Sequence, residues 1–144
     1  MIEPDTVKLL RECDAGVKMG ISSIEDVEDR VRSHILRAEL EQFRADHQQL
    51  AAEISAQLHR CRDDGKNPNP IAKGMSKMKT NLMMGVKDSD RTIADLMTDG
   101  CNMGVKSLNR YLNQYAAADE NAKDITRRLI RLEDQFATDI RPYL

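Results

Sequence analysis

The sequence predicts an all-α protein: a four-helix bundle with a long crossover between its second and third helices. Three observations carry this. Apolar residues recur at alternating three- and four-residue steps in four separate stretches, the spacing of one face of an α-helix. Aromatic residues make up only 3% of the 144-residue chain and tryptophan is absent, so a core must be assembled from Leu, Ile, Val, Met and Ala, which suit packed helices. Between the second and third stretches lies GKNPNP, Gly65 to Pro70, whose glycine and prolines break a helix.

The first helix is expected over 5–30. Pro4 stands at its start, where a missing N–H costs little. Its stripe is Val7, Leu10, Val17, Ile21, Ile24 and Val31, interrupted by Asp14. The second is expected over 34–64, with Ser33 as its cap and a stripe of Leu36, Leu40, Phe43, His47, Leu50, Ile54, Leu58 and Cys61. Residues 71–86 are less regular and predict a short helix using Met75, Met78 and Leu82. Asp88 or Ser89 then caps a third long helix over 89–114, striped by Ile93, Leu96, Met97, Gly100, Gly104, Leu108 and Leu112. The chain turns near Ala116 to Glu120. A fourth helix over 117–141 carries Ile125, Leu129, Leu132, Phe136 and Ile140, and Pro142 closes it.

Each helix has a single apolar stripe, so none is stable alone and the four form one domain over 1–144. Helices one and two are joined tightly, as are three and four. The long middle link carries the chain back along the bundle, so helices two and three run parallel. That is the one-crossover, ferritin-like topology.

Two stretches echo each other. CDAGVKMG, Cys13 to Gly20, and CNMGVKSL, Cys101 to Leu108, share cysteine, glycine, valine and lysine at an offset of 88 residues. The echo places helices one and three in equivalent positions of two helical hairpins. Gly16 and Gly20, with Gly100 and Gly104, repeat small residues at a four-residue spacing. Each glycine costs about 1 kcal/mol of helix propensity, which close helix approach would offset.

Composition narrows the partners. There are 22 basic and 24 acidic residues, interspersed, for a net charge of -2. Such a chain has no long-range attraction for nucleic acid or an anionic membrane surface. No stretch approaches the ~20 consecutive apolar residues of a membrane span. Cys13, Cys61 and Cys101 are an odd three without a CxxC pair, which speaks against a disulfide framework or a cysteine zinc site. A reduced, cytoplasmic protein is expected.

GKNPNPIAKGMSKMKTNLMM, Gly65 to Met84, and TIADLMTDGCNMGVKSLNRYLNQY, Thr92 to Tyr115, resemble a family of small uncharacterised bacterial proteins that look like ferritin-like bundles. The resemblance extends over nearly the whole chain. That family has no established activity, but the wider ferritin-like group includes di-iron and di-manganese carboxylate proteins, so the resemblance raises the question of a metal. A di-metal centre of that kind needs two glutamates and two Glu-x-x-His motifs. The histidines here are His34, His47 and His59, and Val31, Arg44 and Ala56 lie three residues before them. None is a carboxylate. No di-iron centre is expected, and no cofactor beyond a weakly held divalent metal.

Asp14 and His47 both interrupt apolar stripes. Counted from the reversal near residue 32, at ~1.5 Å per residue, they lie within about one helical turn of the same level. Asn102 is the counterpart of Asp14 at the repeat offset. All three are expected in one polar zone, where an Asp–His hydrogen bond would favour imidazolium. One reading is a hydrogen-bonded network that fixes helix pairing. The other is a single-metal site formed by Asp14 and His47 with Glu41 or Glu12.

The remaining features read as packing and surface. Met75, Met78, Met83 and Met84 in the crossover suit flexible packing more than a soft-metal site. Lys73, Lys77 and Lys79 lack the glycine-rich loop of a phosphate cradle. Arg127 to Arg131, balanced by Glu133 and Asp134, reads as helix surface. Cys61, between Arg60 and Arg62, is the one cysteine expected to react. The sum is a structural or protein-interaction module that forms a homo-oligomer. A metal-binding ferritin-like protein or oxidoreductase with a single-metal site is the alternative.

Overall fold

The computed structural model describes residues 3–70, 73–74 and 89–144. Four long helices fill it: α1 (Pro4–Val27), α2 (His34–Arg60), α3 (Ser89–Gln114) and α4 (Glu120–Asp139). Single 3-10 turns follow α1 at Glu28–Arg30 and α4 at Arg141–Tyr143. Among the described residues there is no strand. The predicted short helix over 71–86, the capping role of Asp88, and Met75, Met78, Met83, Met84, Lys77 and Lys79 lie outside or only partly within the described residues.

The caps are those that local chemistry dictates. Ser33 accepts a hydrogen bond from the Leu36 amide at 3.2 Å, and Asp119 accepts one from Ala122 at 2.8 Å. At the end of α2 the Asp63 amide donates to the Leu58 carbonyl and the Arg62 amide to that of His59. This is a Schellman closure, and it puts Arg62 at φ 54, the left-handed position usually held by glycine. The second helix therefore ends at Arg60, a turn before the Asp64–Gly65 stop expected from sequence. The first ends at Val27, because the chain tightens into a 3-10 turn over 28–30.

Contacts between ends fix the helix directions. Asp5 receives a hydrogen bond from the Ala117 amide, Thr6 from that of Asp119, and Cys13 lies beside Thr126, at sequence separations of 112, 113 and 113. Such a constant offset means that α1 and α4 run parallel. Arg11 pairs with Asp63 and Glu28 with Arg44, so α2 runs back along α1. Asp90, in the first turn of α3, accepts from the amides of Arg32 and Ser33 just ahead of α2. Both α2 and α3 therefore start at the same end and run parallel. Helix α1 packs on all three others, α2 also on α4, and α3 also on α4.

The core has two parts. One, towards the start of α2, holds Ile24, Val27, Leu36, Leu40, Phe43, Ile93, Met97, Cys101, Phe136 and Ile140. The other holds Leu9, Leu10, Cys13, Val17, Leu50, Ile54, Leu58, Leu108, Ile125 and Leu129. The boundary falls between Val17 and Ile24, Phe43 and Leu50, Cys101 and Leu108, and Leu129 and Phe136.

Candidate functional site

Gly20 on α1, His47 on α2, Gly104 on α3 and Glu133 on α4 lie in those four intervals. The imidazole of His47 is fully buried and the Glu133 side chain is nearly so. Nδ1 of His47 lies 2.9 Å from the carbonyl oxygen of Phe43, one turn back on α2. A carbonyl only accepts, so Nδ1 carries a hydrogen. Nε2 lies 3.1 Å from Oε1 of Glu133. One proton must therefore sit between imidazole and carboxyl, held on one or the other.

Two glycines make room for this pair. A Cβ at Gly20 would lie 2.6 Å from Nε2 of His47, whereas one at Gly104 would meet the Glu133 carboxyl at 3.6 Å, an ordinary contact. The glycine spacing thus serves a polar layer more than a close helix approach. Gly16 meets only Leu129 at 3.8 Å, and Gly100 is exposed with nothing within 4 Å. Phe43 stands edge-on to the imidazole, with ring centroids 4.2 Å apart, and stacks on Phe136 at 3.9 Å. Beside the pair, Cys101 is held as a thiol: burial raises it furthest, and the charge of Glu133 adds to that.

Asp14 is buried, as its place on the stripe predicts, but it is not a partner of His47. It lies six residues, about 9 Å, further back along α1 than Gly20. Its Oδ2 accepts from the Lys18 ammonium at 2.7 Å and from the Lys66 amide at 2.9 Å. Gly65, at φ +87, lets the chain pass so close that a Cβ there would lie 2.4 Å from that oxygen. Around it, Arg11 holds Asp63 at 3.0 Å and Lys66 pairs with Glu12. Together these bonds clasp the chain after α2 onto α1. An open groove of about 500 Å³ beside the clasp is lined by Asp14, Lys18, Ser55, His59, Asp63 and Asp64.

The four candidate metal ligands therefore do not converge. Asp14 and Glu12 belong to the clasp, His47 belongs to the layer, and Glu41 is exposed on α2. Asn102 is exposed too, because Cys101 takes the buried place on that turn. The partner that sequence reading missed is Glu133. Its segment, with Arg127 to Arg131, reads as helix surface, yet Glu133 stands four residues after Leu129 and three before Phe136, on the stripe itself.

A ferritin-like di-metal centre draws ligands from all four helices. At the polar layer α1 and α3 present glycines, which have no donor side chain, leaving one imidazole and one carboxylate. The residues do not fit such a centre. Among the described residues no group of three or more His, Cys, Asp or Glu side chains is arranged to hold a metal ion.

Fold and layer together define, among the described residues, a four-helix bundle with α2 and α3 parallel and a polar pair across its core. No family model and no curated protein matches the chain. Among solved structures, it is similar to the crystal structure of a DUF305 fragment from Deinococcus radiodurans, with a TM-score of 0.78 over 98% of this chain and 95% of that one. At 11% identity the likeness concerns the fold, a helical bundle. No helix among the described residues is long and apolar enough to cross a membrane.

Proposed function

We propose that the protein is a structural or protein-interaction module without a di-iron centre, acting in the cytoplasm as a homo-oligomer. The observation that carries this reading is the closure of the polar layer. Both ring nitrogens of His47 are hydrogen-bonded to protein groups, and Gly20 covers the ring. A buried imidazole held in this way serves helix pairing: it ties α2 to α4 across the core, and only one register brings His47, Glu133 and Gly20 together. Three cysteines without a disulfide between them suit the cytoplasm. The one-crossover helix order supports kinship with ferritin-like bundles.

Two measurements test the proposal. Sedimentation velocity over a wide concentration range is expected to show self-association; a monomer up to high micromolar concentration overturns the oligomer. Metal analysis of protein purified without chelator is expected to give sub-stoichiometric metal. Two iron or manganese ions per chain, bound through core carboxylates, overturn the reading in favour of a metalloprotein.

A further inference from the structure

The chain contains two Asp–Gly steps, Asp64–Gly65 and Asp99–Gly100, and the fold treats them differently. We propose that Asp64–Gly65 is a site of spontaneous aspartate isomerisation, and that the modification unlatches the clasp between the crossover and α1. The reaction needs the backbone nitrogen of the following residue to reach the aspartyl side-chain carbon, and glycine, lacking Cβ, obstructs that approach least. Asp64 is exposed, in the irregular stretch after α2, and Gly65 follows it at φ +87, outside any helix. The Gly65 amide hydrogen is not held by a helical carbonyl. It points at Oδ2 of Asp63, 2.9 Å away, a carboxylate placed to receive the proton. Asp99–Gly100 lies in the middle of α3, where the helical ladder holds the amide and the backbone away from that geometry.

The chemistry balances without a co-reactant. The Gly65 nitrogen attacks Cγ of the protonated Asp64 carboxyl, the N–C bond forms, the amide proton leaves to base, and one carboxyl oxygen departs as water. The cyclic imide then takes up one water. Opening at the Asp64 main-chain carbonyl leaves Gly65 joined through the side chain, with an extra methylene in the backbone and no change in mass. That insertion falls immediately before Gly65 and Lys66. It displaces the Lys66 amide from Asp14 and the Lys66 ammonium from Glu12.

Ageing the folded full-length chain at neutral pH and body temperature, followed by isoaspartyl methyltransferase labelling and peptide mapping, tests the proposal. Isoaspartate is expected at position 64 in excess over position 99 by on the order of tenfold or more, because the helical site reacts only in locally opened molecules. In denaturant the two positions should become comparable, and Asp64→Glu should abolish the signal at 64 alone. Equal accumulation at both positions in the folded chain, or none at 64, overturns the site. Hydrogen exchange in the peptide spanning Lys66 is expected to be faster in the modified fraction. Unchanged exchange overturns the unlatching.

Discussion

Gly20 lies so close to the His47 ring that a methyl group on it would stand 2.6 Å from Nε2 and 2.7 Å from Cδ2. The ring cannot swing aside, since its two nitrogens are anchored to Phe43 and Glu133. Gly20→Ala should therefore be destabilising even though alanine is the better helix former. Overpacking costs roughly 1–3 kcal/mol, and the propensity gain returns about 1 kcal/mol. Gly100→Ala, in open space, should gain up to about 1 kcal/mol. Urea midpoints at constant m-value separate the two. A stabilising Gly20→Ala would show that the ring is not held where the structure puts it.

The His47–Glu133 pair should behave as a buried, mutually dependent unit. His47→Ala strands a carboxyl and opens a cavity; Glu133→Leu leaves Nε2 facing carbon. Breaking a buried pair of this kind costs roughly 3–5 kcal/mol. Replacing both by leucine removes the desolvation cost as well and should recover much of the loss. Chelator should leave the melts of wild type and double variant unchanged. If it lowers the wild type alone, a bound metal is contributing.

The stripes made most of this fold legible. All seven α2 positions from Leu36 to Leu58 read as a stripe are buried, His47 among them. The proline-marked link between α2 and α3 correctly implied that they run parallel. The polar layer was half legible. His47 was visible because a histidine among leucines breaks a pattern, but Glu133 was hidden by neighbours of opposite charge, which made its segment look like ordinary helix surface. Pairing across 86 residues leaves no local mark. The stripe predicts the burial of Asp14 but not its partner, which is not His47. Its real partners are Lys18 and a backbone amide of the crossover, and no sequence pattern announces a main-chain donor. Arg62 in a left-handed conformation was equally invisible, since the sequence offered Gly65 as the more natural stop.

Stability should fall on the alkaline side because of the buried thiols. Burial is the largest influence on Cys13; the Thr126 hydroxyl opposes it and Glu12 and Asp14 add to it, so the thiol is pushed from its ordinary 9.0 to about 11. Below pH 9 both folded and unfolded chains keep the proton. Between about 9 and 11 only the unfolded chain has released it, so rising pH favours unfolding, by up to roughly 2–3 kcal/mol. Cys101 is raised by the same cause and acts in the same direction. Cys13→Ala should flatten part of this limb, and the double variant with Cys101→Ala more of it. Glu53 works at the other end. Its hydrogen bond from Arg128 holds the carboxyl below its ordinary 4.5, so its contribution is present above that pH and is lost as pH falls through the lower folded value. The Glu53 side chain is 40% exposed, so this acid effect should be small and weakened by salt. In the native state a thiol reagent should label Cys61 quickly, with Cys13 and Cys101 following only on unfolding.

The clasp offers a pair of opposed tests a few residues apart. Arg62 occupies the left-handed position of the α2 closure at φ 54, where a non-glycine residue costs roughly 1–2 kcal/mol. Arg62→Gly should therefore stabilise, by about 1 kcal/mol once the freer unfolded chain is counted. Gly65→Ala should do the reverse for two separable reasons. It places a side chain at φ +87, and it drives a methyl group to within 2.4 Å of Oδ2 of Asp14. In an Asp14→Ala background the second reason disappears and the first remains, so the loss from Gly65→Ala should shrink without vanishing. Neighbouring residues couple by roughly 0.5–3 kcal/mol in such cycles. Denaturant melts of the two single variants, the double variant and wild type give the coupling directly. Additive losses would mean that Asp14 does not face Gly65, and that the crossover is not fastened to α1 at this point.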